Sequence, residues 1–206
     1  GDLAKASAAL EHGLELCQAW NIGVWEINLA SHLGYAYALS GRVSEAISLL
    51  EQVMGQLVAS KIGSSALWTA YLSEAYLLVG RREEAMQLAE RALALSSERN
   101  LRGERAWVLR LLGEIAVQRD PRDVEPAETH YRQALALAEE VGMRPLQAHC
   151  HHGLGTLYAT TGQREQARVA LAAAIDLYRA MDMTFWLPQA EAALAQVRAC
   201  DNTPAE

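Results

Sequence analysis

Residues 148–158 read AHCHHGLGTLY, which sets His149, Cys150, His151 and His152 side by side and follows them with Gly153 and Gly155. Imidazole and thiolate are common ligands of zinc and copper, but a metal needs two to four ligands converging on one point. On a helix His149 and His152 stand three residues apart and share a face, whereas Cys150 and His151 point to other faces. One helix therefore offers two ligands. The glycines fit a phosphate loop less well still, since GxGxxG needs a third glycine where Tyr158 stands, and no strand precedes it. A GxxxxGK run followed by Ser or Thr is missing, as are HExxH and GxSxG, so neither ATP hydrolysis nor common hydrolase chemistry has a visible site. The acidic stretch RDPRDVE holds Asp120, Asp123 and Glu125 but lacks the alternating oxygen ligands and closing glutamate of a calcium loop. The expectation is a chain with no catalytic residues, no cofactor and no metal, in which the histidines are divided between a surface and helix packing.

The elements that would position such residues follow from a repeat. Four segments align, from Leu33, Leu72, Leu112 and Leu154, and the small residue after each leucine (Gly34, Ser73, Gly113, Gly155) recurs at intervals of 39, 40 and 42. A second small residue recurs at Ala46, Ala85, Ala127 and Ala167, and the third segment absorbs two extra residues in its proline-bearing stretch. Apolar residues at i, i+3, i+4 and i+7, with Gly41, Gly80 and Gly162 between the halves, predict two amphipathic helices per unit. Small residues at both marks let the paired helices approach toward the short end of the ~8–10 Å range, and Tyr37, Tyr76 and Tyr158 are expected to fill the space below the crossing. In the third segment Ala116 stands where the tyrosine is expected. A leading half-unit from about Asp2 to Cys17 and a final helix from about Thr184 to Ala199 complete the pattern.

Composition bounds the rest. The 206 residues are 51% hydrophobic and 21% charged, as in a globular protein, and 18 basic against 25 acidic residues leave a net charge of -7. That balance repels phosphate backbones and anionic lipid headgroups, so neither nucleic acid nor a membrane is an expected partner. Cys17, Cys150 and Cys200 are an odd number without CxxC spacing, which argues against a disulfide framework and predicts a reducing, cytoplasmic setting. No apolar run or leading segment marks a membrane span or signal peptide. The chain opens Gly1-Asp2 without Met, which reads as a fragment of a longer protein.

The set Leu33, Gly34, Tyr37, Gly41 and Ala46, returning as Leu154, Gly155, Tyr158, Gly162 and Ala167, resembles the tetratricopeptide repeat family over nearly the whole chain. The period near 40 exceeds that family's usual 34, and its frequent aromatic four residues before the origin is replaced by Ala30, Thr69, Leu109 and His151. The C-terminal stretch from Gly142 is similar to the repeat region of bacterial proteins that carry nucleotide cyclase and ATPase modules. The resemblance implies an all-α, right-handed superhelix of about ten helices, with four full repeats in a single domain over 1–200 and a polar tail over 201–206. It also implies a protein-binding or regulatory scaffold of a larger bacterial signalling protein, whose catalytic domains would lie upstream and whose own fragment is no enzyme.

In such a solenoid the first helix of each unit lines the concave side. The residues six before, three before and one after each origin then form the candidate groove: Asn28, Ser31, Tyr35, Leu67, Ala70, Glu74, Trp107, Arg110, Glu114, His149, His152 and Thr156. Trp and Arg are frequent binding anchors, so a protein or peptide partner is expected there, upstream domains of the same chain among the candidates. The alternatives are a ligand- or metal-sensing domain and a homo-oligomerisation module. Covering of the groove by the terminal helices, and a dimer contact through Phe185 and Trp186, are the corresponding structural alternatives. His149 and His152 are expected to titrate between pH 5 and 8.

Overall fold

The computed structural model describes residues 2–60, 65–119 and 124–201; Asp120 and Asp123 of the acidic stretch and the tail from 202 lie outside them. Among the described residues ten helices follow one another without a strand: α1 (Leu3–Ala19), α2 (Gly23–Leu39), α3 (Val43–Ser60), α4 (Ala66–Leu78), α5 (Arg82–Glu98), α6 (Arg102–Arg119), α7 (Val124–Glu140), α8 (Arg144–Thr160), α9 (Arg164–Ala180) and α10 (Leu187–Asp201). The half-unit is α1, and the four hairpins are α2/α3, α4/α5, α6/α7 and α8/α9. The chain divides into two compact units, Asp2–Asn100 and Leu101–Glu206, the first holding α1 to α5 and the second α6 to α10.

One device ends most of the helices. Gly41, Gly80, Gly142 and Gly162 take φ values of 72° to 84°, and Asn21, Asn100 and Asp182 take 51° to 54° in the corresponding places. The left-handed residue lets the following amide turn back onto the helix, as in Ile22 N–H to Cys17 O at 2.9 Å, Arg42 to Tyr37 at 2.9 Å and Gln163 to Tyr158 at 2.9 Å. Asparagine and aspartate tolerate this conformation where glycine is absent. The same geometry at Asp182, with Trp186 N–H bonded to Met183 O at 3.1 Å, delays the last helix to Leu187 instead of Thr184.

Within each hairpin the two small marks meet. Ala46, Ala85, Ala127 and Ala167 are all fully buried. A methyl group placed on Gly34 would lie 2.6 Å from Leu50 Cγ, on Gly113 3.0 Å from the Tyr131 ring, and on Gly155 2.6 Å from Leu171 Cγ. Each facing side chain stands four residues after the buried alanine. The second hairpin reverses the sizes: Ser73 replaces glycine, Ala89 replaces the large residue, and Ser73 Oγ donates to Ala85 O at 2.6 Å. A larger residue at the first mark is thus accompanied by a smaller one at the second.

The tyrosines do more than fill space. Tyr37 donates its hydroxyl to Glu11 at 2.7 Å, Tyr76 to Glu51 at 2.6 Å, and Tyr158 to Glu128 at 2.8 Å, each reaching the second helix of the preceding unit. An arginine completes every set. The Arg42 and Arg81 guanidinium groups lie 3.7 and 3.8 Å from the Tyr37 and Tyr76 ring centres, and Arg132 bonds both Glu128 and the Tyr158 hydroxyl. The tyrosine hydrogen bond, ahead of the arginine, holds Glu11 and Glu128 below the ordinary carboxylate range. At the far end α10 buries Ala190, Leu194 and Val197, and Glu191 pairs with Arg179 of α9 at 2.9 Å.

Candidate functional site

The twelve residues expected in one groove fall six in each compact unit. In the first unit Tyr35 stacks on Tyr71 with centroids 4.3 Å apart, and His32 meets the same ring edge-on at 5.7 Å. His32 Nδ1–H donates to Asn28 O at 2.9 Å, which fixes its tautomer, and the Tyr35 hydroxyl reaches Glu74 at 3.5 Å. Asn28 and Leu67 are half-buried. Ser31 and Ala70 do not face solvent as the register suggested; both are fully buried, and Glu74 is nearly so. The Ser31 hydroxyl turns back to Ile27 O at 2.7 Å, and α4 is buried without a break from Thr69 to Leu77, so its helix has no exposed stripe there.

The second unit carries the denser cluster. Arg110 on α6 forms an ion pair with Glu114 one turn on, and its guanidinium lies 4.9 Å from the Trp107 ring centre. Arg110 is buried rather than exposed, while about a third of the Glu114 side chain meets solvent. From α8, His149 places Nδ1 at 2.8 Å from the Tyr178 hydroxyl, with its ring edge-on to Trp186 at 4.7 Å and to Trp107 at 6.2 Å. His152 approaches Tyr178 edge-on at 6.2 Å, and Thr156 is exposed beyond it. Arg110, Glu114, His149, His152, Thr156 and Trp186 line a cavity of about 200 Å³ whose floor includes Tyr131 and Gly153. Gly153 is required there, because a methyl group on it would stand 2.5 Å from the Tyr131 ring.

Electrostatics makes this a neutral, aromatic site around one ion pair. Burial first, then Arg110 and His152, push His149 down to about 3, so it carries no charge near neutrality, and burial also lowers His152. The expectation of titration between pH 5 and 8 fails for His149 for this reason: the pocket withholds the water that would solvate imidazolium. Cys150 is fully buried and its thiol is pushed up to about 12, chiefly by that burial. His151 faces the other way, onto a separate hollow of about 280 Å³ shared with Arg132, Tyr158 and Val169. Among the described residues no three His, Cys, Asp or Glu side chains gather where they could hold a metal ion.

Tyr71, Tyr131, Tyr178 and Trp186 belong to these clusters and were not in the expected set. Tyr131 and Tyr178 come from second helices, which the concave-face rule leaves out. Gly153 was the available signal, since a glycine inside a helix marks a close approach. Phe185 and Trp186 meet edge-on at 4.9 Å, and Trp186 turns onto His149. The chain's own C-terminal segment thereby covers part of the second unit's surface.

Two tetratricopeptide repeat models match the sequence, one over residues 122–180 and one over 29–61 and 72–103, together more than half of the chain. No curated protein matches it. Among solved structures, BtubC (BKLC) from P. vanneervenii superposes with a TM-score of 0.64 at 20% identity, over 100% of this chain and 94% of that one. The apo form of RapI gives 0.62 at 16%, over 97% of this chain, which spans 60% of the RapI chain. A putative kinesin light chain of Podosopora anserina with nearly identical TPR-like repeats gives 0.56 at 18%, over 86% and 97%. At these identities the shared property is the fold: an all-α helical repeat. Among the described residues no helix is long and apolar enough to cross a membrane.

Proposed function

We propose, from the premise that this chain is built of tetratricopeptide repeats, that it is a protein-binding module which takes a partner segment at the Trp107–Arg110–His149–His152 cluster of its second unit. The observation that carries this reading is the cavity of about 200 Å³ bordered by Arg110, His149 and His152 of that cluster. Small-molecule pockets run from about 300 to 1,000 Å³, so this one suits a single side chain of a larger partner better than a whole ligand. Its chemistry selects the side chain: the Tyr131 and Trp186 rings and the His149 and His152 imidazoles that line it favour an apolar or aromatic group, and the Arg110–Glu114 pair offers one donor and one acceptor beside it. A regulatory arm of a larger signalling protein, binding that protein's own domains, is consistent with this role.

Thr156 tests the reading because it is exposed, borders the cavity, and can be enlarged without disturbing the core. Peptides selected from a random library on the native protein should bind Thr156→Arg at least about tenfold more weakly, or about 1.4 kcal/mol, with the helical circular dichroism unchanged. Equal affinity for the two proteins would place the binding surface elsewhere. A chelator should leave the melting temperature unchanged, whereas a metal-sensing domain would lose stability.

A further inference from the structure

Among the described residues, four exposed large apolar side chains, two of them tryptophans, lie at the α1–α2 end of the first unit. Leu16, Trp20, Ile22 and Trp25 are all exposed within ten residues, Trp20 to 75% and Trp25 to 61%. Leu16 lies in the last turn of α1 and Trp20 caps it, while Ile22 caps α2 and Trp25 lies in its first turn, so the four flank one short connection. Asn21, at a φ of 54°, and the bond from Ile22 N–H to Cys17 O bring the two pairs to one hairpin end. The other exposed large apolar residues, Val58, Leu78, Val79, Val141 and Val169, are all aliphatic, and only Leu78 and Val79 are neighbours in the chain.

We propose that this end docks on the same end of a second copy, giving a weak two-fold dimer. An aromatic side chain presents about 150–250 Å², so the four residues expose roughly 500 Å², near the top of the ~300–600 Å² range for the largest patch on a monomer. Two such patches bury about 1,000 Å², which is where specific interfaces begin. A two-fold contact requires a surface that complements itself, and an uncharged aromatic patch does. Its rim adds the electrostatic signature. No Lys or Arg occurs from residue 6 to 41, and the acidic residues nearest the patch in the chain are Glu15, 3.7 Å from His12, and half-buried Glu26, which accepts from Gln18. Two acidic rims therefore face each other across the contact. Association is apolar in origin and opposed by like charge, so added salt strengthens it, whereas a basic partner held by the same glutamates would be released by salt.

The test is sedimentation velocity on the full chain at rising concentration, in low and in high sodium chloride. The expected result is a monomer–dimer equilibrium with Kd on the order of 10–100 µM, tightening severalfold in high salt. The double variant Trp20→Glu/Trp25→Glu should remain monomeric with unchanged circular dichroism, and Trp25→Gln alone should weaken the dimer about tenfold. A monomer at every concentration, a dimer that dissociates in salt, or a dimer that survives these substitutions would overturn the proposal.

Discussion

At Gly155 a single methyl group meets a full core. Added there, it would lie 2.6 Å from Leu171 Cγ and 3.1 Å from the Leu171 amide nitrogen, so the facing helix has to move. Gly155→Ala is expected to cost about 1–3 kcal/mol by overpacking. The second hairpin shows the remedy, since Ser73 faces Ala89 instead of a leucine. In a Leu171→Ala background the same Gly155→Ala change should cost little or even restore stability, a coupling that urea unfolding of the four proteins would measure. His149 supplies the pH dependence. Its native pKa lies near 3, below the ordinary 6.5, so between those values the unfolded chain binds the extra proton. Its contribution is complete above about pH 6.5 and is lost as pH falls toward 3. Folding should weaken from pH 7 to pH 5 by about 2 kcal/mol through this residue, and His149→Gln should flatten that part of the stability curve.

At the scale of the element, the links between consecutive units rest on the tyrosine sets. Tyr76→Phe keeps the ring under Arg81 but removes the hydroxyl that Glu51 accepts, and about 1 kcal/mol of stability should be lost. Loss of the whole ring in Tyr76→Ala should cost about 3–5 kcal/mol; if the two variants unfold at the same urea concentration, packing of the ring contributes nothing. The helices, their order, the glycine turns and the small marks were legible in the sequence, because each depends on residues within one period. The tyrosine sets were not, because their acidic partners keep no register: Glu51 stands five residues after its buried alanine, and Glu128 stands one after its own. The arginine also changes source, following the turn glycine in Arg42 and Arg81 but arriving from α7 as Arg132. The candidate groove was legible in part. The concave-face register located Trp107, Arg110, His149 and His152, but it gave Ser31, Ala70, Glu74 and Arg110 an exposure that packing removes. Tyr178 and Trp186 escaped it because they approach from the second helix and from the turn after it.

Across the molecule the two aromatic features lie in different compact units, and they differ in kind. The Trp107–Trp186 cluster is half-buried and furnished with polar partners, while Trp20 and Trp25 stand open at a helix end. Loss of one property therefore need not disturb the other, and library binding and sedimentation examine them separately. The reciprocal sizes inside the hairpins reach further. Gly34 has been matched to Leu50 and Ser73 to Ala89, each mark to its own companion. A helix transplanted alone between repeats would bring two bulky groups together or leave a void, whereas a whole hairpin would carry its matched pair with it. The unit that duplication or recombination can move with its internal packing intact is the hairpin, and the helix is not.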